Sequence, residues 1–170
     1  MMDREAIRQS FRPDKVRLLF VGEAPPIIGA HFYGGGHISK HMATVFASVF
    51  SRSFSSSDEF LAFFKREGCY FVDLSHEPIS HMPDKIRRRC VVACVIPLAL
   101  RIRQCNPEHV IGVTKGIEHQ VRKAAQMAEI DSSRVFCVPV PLYGKRTLFM
   151  KDLTALLMTI YEPINKATCG

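Results

Sequence analysis

The residues best placed to do chemistry fall in one short stretch of the chain. Gly22-Glu23-Ala24-Pro25-Pro26 is followed by Gly29, Phe32-Tyr33 and Gly34-Gly35-Gly36. Glycine at position 22 permits a sharp turn, and the two prolines stiffen the backbone that follows. A carboxylate fixed in this way beside two aromatic rings suits a flat heterocycle and a developing positive charge. The same residues also have a purely structural reading, in which Glu23 caps a local turn and Phe32 fills the core.

Such a stretch needs a scaffold, and the hydrophobic pattern outlines one. Four runs read as β-strands: Val16 to Val21, Cys69 to Leu74, His109 to Val113 and Val135 to Val138. Between them lie helical patterns. Met42, Val45, Phe46, Val49 and Phe50 recur at helical spacing behind Ser39 as N-cap. Ser56 and Glu59 form a capping box ahead of Phe60, Phe63 and Phe64. Ile117, Val121, Ala124, Ala125 and Ala128 make an apolar face behind Thr114, and Phe149, Leu153, Leu156, Leu157 and Ile160 make another. The segment from Asp84 to Gln104 is apolar in its middle, and Pro97 is expected to kink or split any helix there.

Strands alternating with helices predict a parallel sheet between two helical layers, an α/β/α sandwich formed as one domain over residues 1–170. Functional groups in such sheets gather beyond the C-terminal ends of the strands. The loops Gly22 to Gly36, Asp73 to Pro83, Thr114 to Gly116 and Pro139 to Thr147 are therefore expected to share one edge.

The loop after the first strand resembles motif A of the uracil-DNA glycosylase superfamily. Several branches of that superfamily carry a Gly-Glu-Ala-Pro-Gly type sequence there, with a base-stacking aromatic downstream. The likeness extends along the chain. Val16 to Val21 matches the first strand, and Phe71-Val72-Asp73-Leu74 with Pro78 falls at the second strand and base-reading residue. Val138-Pro139-Val140-Pro141-Leu142-Tyr143-Gly144 falls at motif B.

The resemblance implies a central four-stranded parallel sheet of order 2-1-3-4 and the chemistry of base excision. A nucleotide, most simply a uracil nucleotide, is flipped from the DNA stack and its N-glycosidic bond is hydrolysed. Glu23 then corresponds to the catalytic carboxylate, which stabilises the cationic sugar and orients water. Gly22, Ala24, Phe32, Tyr33 and Asp73 correspond to the base-binding set, with either Phe32 or Tyr33 as the stacking ring. Leu142 or Tyr143 corresponds to an apolar wedge in the DNA, with Lys145 and Arg146 as phosphate contacts. The alternative for this last loop is an ordinary surface turn made by Gly144.

Three positions depart from the family pattern. Asp73 stands where an asparagine is usual; an ionised carboxylate offers only acceptors, so it would repel uracil O4 unless protonated. It has a second reading as a cap for the loop before Pro78. Val140-Pro141 replaces a His-Pro pair whose histidine steadies the departing base. His31, His37, His41, His76 and His81 read as surface or capping residues. Cys90 and Cys94 give one CxxxC pair without a second, so no metal or iron–sulfur cofactor is expected.

The charge balance agrees with a polyanionic partner. The chain has 170 residues, with 23 Lys plus Arg against 16 Asp plus Glu, a formal charge of +7. The run Arg87-Arg88-Arg89 reads as a solvated helix start, or, if it faces the same edge as the loops, as a further source of phosphate affinity. The longest apolar run, Cys90 to Leu100, is about half the ~20 residues that span a bilayer, so no membrane partner is expected. The charged N-terminus and cysteines lying in hydrophobic runs point to a cytoplasmic protein with reduced thiols, and the glycosylase reading takes it to act as a monomer. Two further functions remain open at this level: a non-catalytic nucleic-acid-binding or damage-recognition module on the same fold, and nucleotide binding at Gly34-Gly35-Gly36. The latter stretch has neither the Walker nor the dinucleotide-binding pattern.

Overall fold

The computed structural model describes residues 4–167, with side chains through Tyr161. In chain order the elements are α1 (Arg4–Ser10), β1 (Leu18–Gly22), α2 (His37–Val49), α3 (Ser57–Arg66), β2 (Cys69–Asp73), α4 (Asp84–Ala93), α5 (Val95–Cys105), β3 (His109–Gly112), α6 (Glu118–Met127), β4 (Val135–Cys137) and α7 (Arg146–Ala167). The strands form one parallel sheet in the order β2-β1-β3-β4. With helices on both faces, this is the three-layer α/β/α sandwich that the pattern predicts.

The register explains the packing. Leu18 pairs with Cys69, Phe20 with Phe71 and Gly22 with Asp73, so alternate residues of the two strands share a face. On that face Phe20 packs against Phe46 of α2 and Phe64 of α3. α2 also packs on α7, while α5 and α6 pack together and α6 covers β3 and β4. β1 is buried along its whole length, as a central parallel strand must be. Phe20, Phe46, Phe60, Phe64 and Phe149 are fully buried, each contributing about 1.5–3 kcal/mol of hydrophobic stabilisation.

Several local details differ from expectation for identifiable reasons. α2 starts at His37 with Gly36 as its N-cap, and Ser39 is buried inside the first turn. A Cβ at Gly36 would lie 2.3 Å from the carbonyl oxygen of Ala30, so a close backbone approach that only glycine permits sets the helix start. The helical segment after Asp84 breaks at Cys94, three residues before Pro97. A proline ring displaces the carbonyl four residues earlier, here that of Ala93, which is where α4 ends. Pro97 itself then occupies the first turn of α5, where its missing N–H removes no helical bond.

The capping box forms as expected in its first half, with Ser56 Oγ accepting from the Glu59 N–H at 3.1 Å. The Glu59 carboxylate accepts instead from the N–H and hydroxyl of Ser55, at 2.7 and 2.6 Å. Thr114 caps a single 3-10 turn ahead of α6 by accepting from the Gly116 N–H. Cys69, Cys90, Cys94, Cys105 and Cys137 are free thiols. Among the described residues no helix is long and apolar enough to cross a membrane.

Candidate functional site

The four loops beyond the C-terminal strand ends meet, as the topology requires. They enclose a cavity of about 830 Å³ bordered by Glu23 after β1, Asp73 and Ile79 after β2, Thr114 after β3, and Val140 and Leu142 after β4. A second cavity of about 550 Å³ shares the wall of Phe32, Phe71 and Asp73 and is bordered on its far side by Arg4 and Arg8 of α1.

Glu23 is fixed at both backbone and side chain. The β1–β2 pairing continues past the strands: Leu74 N–H donates to Gly22 C=O at 2.8 Å, and Ser75 N–H donates to Glu23 C=O at 2.9 Å. The carboxylate receives two hydrogen bonds from one guanidinium, from Arg87 Nε at 2.8 Å and Nη2 at 2.5 Å. This fork geometry fixes the orientation of both groups. The pair is partly exposed, with side-chain accessibilities of 38% for Arg87 and 25% for Glu23, so its contribution to stability is at most about 1 kcal/mol. Hydrogen bonding to Glu23 raises the Arg87 pKa against partial burial, with the charges of Glu23 and Asp84 adding to it. Glu23 is therefore not a turn cap. Of the arginine run, Arg88 and Arg89 face solvent as expected, but Arg87 points into the site.

Gly22 is the last, extended residue of β1 rather than a turn. A Cβ there would lie 2.6 Å from Asp73 Oδ1 and 2.9 Å from the Phe71 ring, so glycine is required by what β2 places opposite. Ala24 lies in the cavity wall beside Glu23.

The two candidate rings have different surroundings. Tyr33 is clasped to β2, its hydroxyl donating to Phe71 C=O at 3.0 Å and accepting from Phe71 N–H at 2.8 Å. β2 is an edge strand, so this single hydroxyl satisfies outward-facing backbone groups that have no neighbouring strand. Phe11 stacks on the Tyr33 ring at 4.8 Å, and burial drives the phenol pKa well above its ordinary value. Phe32 lies parallel to Phe71 with centroids 4.1 Å apart, which occupies one of its faces, and it borders both cavities. Phe32 is thus core residue and cavity wall at once; Tyr33 borders only the second cavity, and its hydroxyl is committed to β2.

Asp73 sits at the end of β2 in the wall shared by the cavities. Among the described residues, no hydrogen bond reaches its carboxyl. Burial pushes its pKa up to about 7, although Arg8, Arg101 and Arg4 pull it down. Its backbone is held firmly: Arg101 donates to the carbonyls of Asp73 and Leu74 at 2.7 and 2.9 Å. The loop-capping role belongs to Ser75, whose hydroxyl donates to Glu77 C=O and accepts from Glu77 N–H.

The loop after β4 divides its residues. Leu142 borders the cavity, while Tyr143 is 91% exposed and held at φ 55°, in the left-handed region, ahead of Gly144 at φ 75°. Ile28, 89% exposed on the first loop, borders the same cavity and was not singled out by the sequence. Lys145 and Arg146 are exposed at the start of α7 and do not border the cavity. Arg146 lies near enough to His41 of α2 to depress that histidine's pKa, after the larger effect of burial. Val140 places an aliphatic side chain at the cavity. His31 borders the cavity, and burial, with the charge of Arg4, lowers its pKa and favours the neutral ring.

Among the described residues, no group of three or more His, Cys, Asp or Glu side chains converges to hold a metal ion. What the site brings together is a carboxylate–guanidinium pair, an aromatic wall and a carboxyl without a hydrogen-bond partner. No protein-family model matches the chain, and no curated protein matches it significantly.

Proposed function

We propose that the protein is a DNA glycosylase that hydrolyses the N-glycosidic bond of a flipped-out base, with uracil as the leading substrate. One observation carries this reading. Glu23 and Phe32 from the loop after β1 and Asp73 from the end of β2 border a single cavity at the C-terminal edge of a 2-1-3-4 parallel sheet.

In this reading the base lies against Phe32, and Asp73 meets its hydrogen-bonding edge. A protonated Asp73 donates its O–H to uracil O4 and accepts the N3–H at its carbonyl oxygen, supplying the donor and acceptor that an asparagine amide would. Glu23 faces the sugar, where its negative charge stabilises the oxocarbenium-like transition state. The C1′–N bond breaks with both electrons going to the base, the oxygen of a water oriented by Glu23 bonds to C1′, and the proton that water loses passes through solvent to the uracil anion, giving free uracil and the abasic sugar. Tyr143 and Ile28, exposed at the border of the same cavity, enter the base stack, while Lys145 and Arg146 contact phosphates.

Incubation with a uracil-containing oligonucleotide followed by alkali is expected to reveal strand breaks at the uracil position. Absence of breaks at uracil, hypoxanthine and xanthine would refute the reading. The engagement of both Glu23 oxygens by Arg87 favours one second reading, a non-catalytic module that recognises nucleic acid with the same surface. Salt-sensitive DNA binding without breaks would support it.

A further inference from the structure

We propose that Arg87 is a catalytic residue: its guanidinium contacts the departing base and holds the negative charge that a motif-B histidine would otherwise steady. This rests on the glycosylase reading above. Breaking the glycosidic bond leaves electron density on the base and positive charge on the sugar, so the transition state is a separated pair of opposite charges. The cavity contains a preformed pair of the same kind, Glu23 and Arg87, joined at 2.8 and 2.5 Å. Fixed groups of this sort act where charge develops without having to reorganise.

The guanidinium has N–H bonds to spare. Of its five, two go to Glu23, and Nη1 has no hydrogen-bond partner among the described residues. The other cationic or titratable groups at the cavity are less suited. His37 and Lys40 are exposed, and burial, with the charge of Arg4, disfavours a proton on His31. Val140 and Leu142, from the loop that carries the family histidine, offer no side-chain donor at all. Arg87 comes from a different element, the N-terminal half of α4, and reaches the site from the β2 side. A charge that steadies the leaving group must matter most when the leaving group is poor.

The test is single-turnover excision of uracil and of 5-fluorouracil from otherwise identical duplexes, with Arg87→Met and Arg87→Lys. The fluorine withdraws electrons, so the 5-fluorouracil anion needs less help to leave. Arg87→Met is expected to lose roughly 100-fold on uracil and less than about 10-fold on 5-fluorouracil, with Arg87→Lys recovering part of the uracil rate. Equal losses on the two bases would overturn the inference and leave Arg87 as a positioning residue for Glu23. If Arg87→Met does not fold, the same comparison is made with Arg87→Lys, for which an unchanged ratio of the two rates is the contradicting result. Failure of the wild-type protein to release either base would instead remove the glycosylase reading on which the inference rests.

Discussion

At the scale of single residues, Asp73 makes the sharpest physical prediction. Its carboxyl titrates at about 7 in the folded protein because burial opposes its charge. An unfolded aspartate titrates near 3.9. Between those values the folded state binds the extra proton, so stability falls as pH rises from about 4 through about 7 and is level beyond. Asp73→Asn removes that dependence. Thermal melts are expected to show the variant gaining on the wild type between pH 5 and pH 8; parallel curves would show that Asp73 ionises freely. The same titration governs base reading in the proposed reaction, so uracil excision by the wild type should decline above neutral pH more steeply than that of the asparagine variant. The sequence identified Asp73 as the odd residue of the site, but not its freedom from hydrogen bonds, which depends on Ser75 taking over the loop and Arg101 binding only the backbone.

At the scale of elements, much was legible because the signals are local. Strand runs, helical faces and the Ser56 cap involve residues within a few positions of one another, and their alternation fixed the parallel sheet. The α2 cap and the second half of the capping box were misread within a few residues, but the readings that matter to the site failed on approach between distant segments. Glu23 and Arg87 are 64 residues apart, and nothing in an arginine run says which member turns inward. Topology was the only usable signal, since α4 follows the loop after β2 and so begins at the site edge. Tyr33 was equally hidden: its clasp on Phe71 spans 38 residues. Tyr33→Phe leaves the outer N–H and C=O of β2 at Phe71 without that partner and is expected to cost about 1–3 kcal/mol of stability, measured by urea unfolding. A change below about 0.3 kcal/mol would show that water replaces the hydroxyl without loss.

At the scale of the whole molecule, the chain carries a formal charge of +7, and two apolar side chains, Ile28 and Tyr143, stand exposed at the border of the cavity, where the proposed reaction would seat the DNA. Ile28 and Tyr143 project into solvent, and the left-handed backbone at Tyr143 carries a conformational cost for a non-glycine residue. Ile28→Ser and Tyr143→Ser are expected to lower excision from duplex DNA by about 10-fold each and leave single-strand excision nearly unchanged, since only a duplex must be wedged open. Equal losses on both substrates would assign the tips to general binding. The most direct measurement of the central claim is the release of free uracil from a defined duplex by the wild type and by Glu23→Gln. Stoichiometric uracil and an abasic site from the wild type, with a rate at least about 100-fold lower for the folded variant, is the expected result. Equal release by the two proteins, or none from the wild type, would contradict it.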